Sequence, residues 1–122
     1  MTNESDSLKR LSLIFNDRAL KSSPRLLILL SLSMNRKLRF TELSKLTGLA
    51  KGSLGNHLMK LSSSGYITIV EYSFFSSKRT TIKITEKGFE TVRKYISAVN
   101  ELELEYKEEK NSTFTGDKTP QK

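Results

Sequence analysis

The sequence predicts a mainly α-helical domain with one small β-hairpin, an α+β fold that ends in a long C-terminal helix. Three observations predict it. Apolar residues recur at helical spacing in five segments, and two short segments near residues 66–72 and 80–85 alternate apolar and polar residues. The last helical segment runs over about 25 residues, from 86 to 110, with apolar residues three and four positions apart.

Basic residues are concentrated in the middle of the chain. The 122 residues, 36% of them hydrophobic, suit one compact domain with a modest core. The net charge is +8, and residues 36–95 carry twelve basic and four acidic side chains. A small protein this basic usually faces a polyanion, either nucleic acid or an anionic membrane, although charge can also serve solubility alone. Charge kept for solubility would have no reason to cluster, so the clustering favours nucleic acid.

The sequence lacks the residues that several kinds of functional site require. The chain has no Cys and a single His, His57, which excludes disulfides, thiolate metal sites and a His-rich metal cluster. No nucleophile–base pair or phosphate loop is present, so we expect neither an enzyme nor a cofactor. The acidic, polar start argues against a signal peptide, and the longest apolar run, residues 26–30, is too short to span a bilayer. We therefore expect a cytoplasmic protein without a membrane partner.

Local signals place the elements of the N-terminal half. Residues 1–7 are predicted to be disordered, followed by a helix over about 8–16 that Asp6 or Ser7 would cap. A second helix should start at Pro24, with Ser23 as its N-cap, and end near residue 33. It is apolar on nearly all sides, so either the first helix or a partner chain should cover it. Residues 38–40 alternate and predict a very short strand.

Residues 40–66 predict two short helices joined by a tight turn. Thr41 is a good N-cap for a helix over 42–46, and Gly48 permits the sharp turn after it. The next helix, from residue 50 or 51 to 63, carries Leu54, Leu58 and Leu61 on one side and small, polar or basic residues on the other. Gly52 and Gly55 are costly in a helix. They indicate close approach by a partner such as DNA, or close helix packing, which is equally plausible for Gly55.

A hairpin and the long helix complete the chain. The two strands flank a tip over residues 73–79 that ends in Lys78 and Arg79, and Phe74 or Phe75 should pack beneath it. Thr85 should cap the long helix. The helix-turn-helix followed by a basic hairpin is the element order of a winged helix-turn-helix. Residues 8–96 would form that domain, 86–110 a dimerisation helix and 111–122 a disordered tail.

Six segments carry a resemblance to a known family: residues 23–29, 40–43, 47–49, 52–61, 65–67 and 78–88. Together they are similar to archaeal and bacterial winged-helix transcriptional regulators of the MarR/ArsR-like group. The resemblance implies DNA binding, and it allows a pocket for a small-molecule effector between the dimer arms and the helix-turn-helix. The homodimer itself is predicted by the apolar spacing of the last helix. Ala50 departs from the pattern, since these regulators usually have Ser or Thr there.

An α-helix fits the major groove, where its N-terminal side chains contact base edges. Asn56 can bind adenine, while Lys51 suits guanine or a phosphate. Thr41 could hold a phosphate at a helix N-terminus. His57, at the border of the apolar side, could instead bond a backbone group. Lys78 and Arg79 would reach the minor groove or its phosphates, or lie in a solvated turn. The predicted DNA contacts are Thr41, Lys51, Gly52, Ser53, Asn56, His57, Lys60, Lys78 and Arg79.

The predicted function is sequence-specific transcriptional regulation by a homodimer on double-stranded DNA. An architectural protein of low sequence specificity and a winged-helix module that binds only proteins remain alternatives. Arg36, Lys37 and Arg39 are expected to contact the DNA backbone or to be surface charges. The acidic run over residues 101–105 would keep the last helix away from phosphates. The predicted dimer interface comprises Leu11, Phe15, Phe89, Val92, Ile96, Val99, Leu102 and Tyr106.

Overall fold

The computed structural model describes residues 5–75 and 77–109, except for the side chain of Phe74. Its elements follow the predicted order. They are helix α1 (Asp6–Ile14), a 3₁₀ turn (Arg18–Leu20), helix α2 (Ser23–Asn35), strand β1 (Lys37–Arg39), helix α3 (Phe40–Thr47), helix α4 (Lys51–Ser63), strands β2 (Ile67–Phe74) and β3 (Ser77–Ile84), and helix α5 (Glu86–Glu109). The mainly α, winged helix fold predicted from the sequence is confirmed. The predicted tail over residues 111–122 lies outside the described residues.

Three predicted helix starts are wrong by one or two residues. Helix α1 begins at Asp6 because the hydroxyl of Ser5 accepts from the amide of Leu8 at 3.2 Å, so the predicted disordered stretch does not reach residue 7. Residues 1–4 lie outside the described part. Helix α2 has Ser22, not Ser23, as its N-cap. Helix α3 begins at Phe40 with Arg39 as N-cap, so Thr41 lies inside the helix and is not its cap.

The sheet is antiparallel, with strand order β1-β3-β2. The short strand predicted around residue 38 is confirmed, since Leu38 pairs with Ile82 and adds a third strand to the hairpin. Both hairpin strands are longer than predicted. Ser77 pairs with Phe74, so the predicted tip over residues 73–79 belongs mostly to the strands. Ile82 and Ile67 point into the core and are almost completely buried.

The core lies between the helix-turn-helix, helix α2, the sheet and the first turns of α5. Ile28, Leu29 and Leu32 of α2 are fully buried by residues of the same chain, so this side of the helix needs no partner chain to cover it, whereas Leu27 stays 41% exposed. Gly48 joins α3 to α4 with φ 73°, the left-handed conformation that the predicted turn requires. The residues of this core cluster are Ala19, Leu20, Ile28, Leu29, Leu32, Leu43, Leu54, Leu58, Leu61, Tyr66, Ile67, Ile82 and Val92.

Helix α1 packs along α5. The ring of Phe15 meets the ring of Tyr95 edge-on, with centroids 6.0 Å apart. Arg10 forms an ion pair with Glu101, and the hydroxyls of Ser5 and Ser7 donate to the carboxylate of Glu105. The first and last helices are therefore held together along the C-terminal half of α5. Within residues 5–75 and 77–109, no helix combines the length and apolar content needed to cross a membrane.

Candidate nucleic-acid interface

Helix α4 separates its apolar side from its polar side as the sequence predicts. Leu54 and Leu61 are fully buried and Leu58 almost so, which anchors the helix on the core. Lys51, Gly52, Ser53, Asn56 and Lys60, all predicted DNA contacts, are exposed. The helix therefore presents a polar side to solvent, with small residues near its N-terminal end.

Open space surrounds the two helical glycines. A Cβ atom added at Gly52 or Gly55 would have no heavy atom of another element within 4 Å. Close helix–helix packing, considered above for Gly55, therefore does not explain that glycine. Both glycines and Asn56 line a cavity of about 290 Å³ between α4 and the hairpin. The small side chains leave room beside the sheet rather than filling it.

A basic groove joins the N-terminal end of α4 to the hairpin. It has a volume of about 460 Å³ and brings together Thr41, Lys51, Lys78 and Arg79, four residues predicted separately from the sequence. Arg39 also lines it, although the sequence suggested no more than a backbone clamp or a surface charge. Pairing of Arg39 with Thr81 across β1 and β3 places it there. The alternation of apolar and polar residues in the short strand is the sequence feature that could have identified Arg39.

The wing cations lie on a strand rather than at a hairpin tip. Lys78 pairs with Ser73 and Arg79 with Tyr72 across the two strands, so the predicted position at the tip is wrong. The Nζ atom of Lys78 lies 3.7 Å from a carboxylate oxygen of Glu71. Both side chains are more than half exposed, so this ion pair is weak and Lys78 can still bind a phosphate.

The N-terminus of α3 is already occupied by a carboxylate. Glu42 accepts a hydrogen bond from the amide of Arg39 at 2.8 Å, which is the carboxylate half of a capping box. A phosphate bound at the same amides would meet this negative charge. The phosphate role predicted for Thr41 at a helix N-terminus is therefore poorly supported, and the position of Thr41 in the basic groove is the stronger reason to retain it.

His57 is bonded inside the protein. A guanidinium nitrogen of Arg25 donates to His57 Nδ1 at 3.0 Å, and Arg25 is only 8% exposed. Arg25 also donates to the carbonyl oxygens of Ala19 at 2.6 Å and Arg18 at 3.3 Å. Burial, and then the positive charges of Arg25 and Lys60, lower the pKa of His57. The imidazole is thus neutral at pH 7 and links α4 to α2. Its role here is structural, but its partner is a side chain and not the backbone group considered from the sequence.

The predicted dimer residues fall into two groups. Val92 is 2% exposed and lies in the core of its own chain, so its assignment to a dimer interface is wrong. Phe15 packs against the same core, and Phe89 stacks under the guanidinium of Arg36 at 4.3 Å. Leu11 and Leu102 are half-buried. The members that remain exposed are Ile96 (45%), Val99 (37%) and Tyr106 (67%).

Comparisons with known proteins agree with this geometry. Residues 25–102 match the model of the winged helix DNA-binding domain family, and none of the curated proteins compared with the chain matches it. A transcriptional regulator homologue from Pyrococcus horikoshii OT3 has a similar structure, with a TM-score of 0.68 and 26% identity over 77% of this chain and 93% of that one.

Two further solved structures extend the similarity. An ArsR family transcriptional regulator gives a TM-score of 0.52 and 25% identity, covering 76% of this chain and 94% of that one. A putative MarR family regulator from Porphyromonas gingivalis W83 shares the fold, with a TM-score of 0.57 and 21% identity over 86% of this chain and 96% of that one. The resemblance to MarR/ArsR-like regulators stated from the sequence is confirmed.

Proposed function

Because the chain belongs to the winged helix DNA-binding domain family, we propose that it is a sequence-specific transcriptional regulator that binds DNA as a homodimer. Helix α4 would enter the major groove, and the cations of β3 would contact the adjacent minor groove or its phosphates. The proposed activity is binding, without catalysis.

The observation that carries this proposal is the basic groove between α4 and the hairpin. Lys51 at the start of α4 and Lys78 and Arg79 on β3 line one surface, together with Arg39 on β1, the edge strand next to β3. Cations on two elements that meet at a groove can hold phosphates on both sides of a helix inserted in DNA. The exposed Asn56 is then available for a bidentate contact with adenine.

Helix α5 supports the homodimer. Ile96, Val99 and Tyr106 are three and seven positions apart, so they lie on one side of the helix, and all three are exposed. Helix α1 occupies the side that carries Glu101 and Glu105. A second copy seated on the exposed side would place two α4 helices on one face of the duplex, roughly 34 Å apart.

Substitution of Val99 by Lys tests the dimer, because it places a charge within the apolar stripe. We expect sedimentation velocity at micromolar concentration to show a dimer for the wild type and a monomer for Val99→Lys. Leu104→Lys is the matched control, since Leu104 is 62% exposed and lies off the stripe. A wild-type monomer, or a Val99→Lys dimer, would contradict the proposed interface.

DNA binding is tested by comparing the duplex upstream of the protein's own gene with random duplex at one stated salt concentration. A regulator binds the first at least about a thousandfold more tightly. Equal affinities would favour the architectural alternative. Neutralising Lys78 and Arg79 should lower the salt slope by roughly one per lost phosphate contact. A slope that stays unchanged in this variant would remove these two cations from the proposed interface, and a wild type that binds neither duplex would favour the module that binds proteins only.

The effector that the resemblance allows is also a proposal. A cavity of about 550 Å³ lies between α1, the 3₁₀ turn and α5, and it combines apolar side chains with two cations and the single carboxylate of Asp17. An apolar organic anion suits this lining. Anilinonaphthalene sulfonate should therefore gain fluorescence on binding the wild type and lose that gain in Lys94→Glu. Equal fluorescence for both proteins would remove this cavity as the site. The apolar and basic residues of this lining are Leu13, Ile14, Leu20, Arg10 and Lys94.

A further inference from the structure

A second basic cavity lies on the other flank of α4. It has a volume of about 540 Å³ and lies between the 3₁₀ turn and the C-terminal half of α4. Four cations line it, namely Arg18, Lys21, Arg25 and Lys60, against the single carboxylate of Asp17. Of these four, only Lys60 was a predicted DNA contact.

The exposed cations of this cavity form no ion pair with any residue that the structure describes. Within the described chain, Arg18, Lys21 and Lys60 have no carboxylate oxygen within 4 Å. The oxygens of Asp17 are used elsewhere, because one accepts from the hydroxyl of Tyr66 at 2.5 Å and the other from the amide of Ala19 at 2.9 Å. The tyrosine hydrogen bond is the largest cause of a lowered Asp17 pKa. The cavity therefore keeps an excess of positive charge at pH 7.

The side chain of Arg25 lines the cavity and is held in place by hydrogen bonds. Its guanidinium is nearly buried, and the three hydrogen bonds to Ala19, Arg18 and His57 use three of its five N–H groups. Because His57 is neutral, none of these partners cancels the charge. A buried cation held only by neutral acceptors is stabilised when an anion binds beside it.

The chemistry of the lining favours phosphate. Guanidinium and ammonium groups are the preferred partners of phosphate oxygens, and Ser63 and Ser64 add hydroxyl donors at the same cavity. Donors far outnumber acceptors, so a cation or a sugar would leave much of the lining unpaired. A tetrahedral anion with several acceptor oxygens matches it.

The position of the cavity connects it to DNA. Gly52, Gly55 and Asn56 line the space on the hairpin side of α4, whereas Lys60, Ser63 and Ser64 line this cavity on the opposite flank. We propose that the cavity is a phosphate-binding site that takes a backbone phosphate on the side of α4 away from the wing. The DNA source rests on the proposed function, while a soluble phosphate compound is the other source of the same chemistry.

The test uses the full-length double variant Arg18→Gln/Lys21→Gln. Both side chains are exposed, and Arg25 bonds the backbone oxygen of Arg18, so the substitutions leave the fold contacts in place. Arg93→Gln/Lys107→Gln removes the same two charges from exposed positions on α5 and serves as the matched control. Any effect of net charge alone is equal in the two variants.

Two measurements separate the sources. In a salt series on duplex DNA, loss of this one phosphate contact should lower the slope of log K against log salt by about 0.9 in Arg18→Gln/Lys21→Gln and not in the control. In a titration with inorganic pyrophosphate followed by ¹H–¹⁵N spectra, saturable shifts at residues 18–21 and 60–64 in the wild type, absent from Arg18→Gln/Lys21→Gln, would identify a soluble source.

Either result supports the cavity as a phosphate site. If Arg18→Gln/Lys21→Gln matches the control in both measurements, the proposal is overturned. Failure of the proposed function is distinguishable, because wild-type protein that binds no duplex can still show the pyrophosphate shifts. In that case the shifts would show that the cavity binds a soluble phosphate compound and not DNA.

Discussion

Replacing the glycines of α4 by alanine should raise stability and lower DNA affinity. An added Cβ at Gly52 or Gly55 meets no other element within 4 Å, so the folded protein accommodates it without strain. Alanine is about 0.8–1.0 kcal/mol more favourable than glycine inside a helix. Each substitution should therefore add about 1 kcal/mol to the free energy of unfolding, and the melting temperature should rise by roughly 4 °C.

DNA affinity should change in the opposite direction. If the groove floor lies against these glycines, the new methyl group overpacks the contact and costs about 1–3 kcal/mol, roughly 5- to 150-fold in Kd. Circular dichroism in urea measures the first effect, and fluorescence anisotropy on labelled duplex measures the second. Higher stability with unchanged affinity would refute the idea that the glycines admit DNA.

Gly88 provides the control for this substitution. A Cβ there would lie 2.3 Å from the carbonyl oxygen of Tyr66 and 2.9 Å from a side-chain carbon of Ile84. Backbone must move to admit it, so Gly88→Ala should destabilise the fold by about 1–3 kcal/mol. If Gly88→Ala behaved like Gly52→Ala, the spacing around these glycines would not govern the response.

Three further outcomes are expected. The lowered pKa of His57 means that the unfolded chain binds more protons below pH 6.5. Stability should therefore fall as pH drops from 7 toward 5, and His57→Asn, which keeps an acceptor for Arg25, should remove that dependence in urea titrations at several pH values. Leu58→Ala should cost about 2–5 kcal/mol of unfolding free energy, whereas the 60% exposed Met59→Ala should cost under about 0.5. Thr85→Ala removes the cap bond that Gly88 donates at 3.0 Å, which should lower the same free energy by about 1 kcal/mol.

Errors in the sequence predictions have local physical causes. Serine doublets and triplets offer several equivalent caps, so Ser22 and Ser23 could not be told apart without the backbone angles. Thr41 has the better capping side chain, yet the strand pairing of residues 37–39 starts the helix one residue before it. The hairpin was predicted too short because its polar, exposed end lacks alternation, although the ladder continues to Phe74 and Ser77.

The order and type of the helices and strands followed from the sequence alone, because apolar period, capping residues and turn glycines act over a few residues. The buried side of α4, with Leu54, Leu58 and Leu61, was predicted for the same reason. Two features depended on long-range packing. The crossing of α1 and α5 left Val99 exposed, while Val92 is buried in the core of its own chain. Packing of α2 and the 3₁₀ turn against α4 paired Arg25 with His57 and placed Arg18 and Lys60 in the lining of one cavity. Residues separated by more than thirty positions carry no mutual signal in one sequence, so only the tertiary structure could bring these charges together.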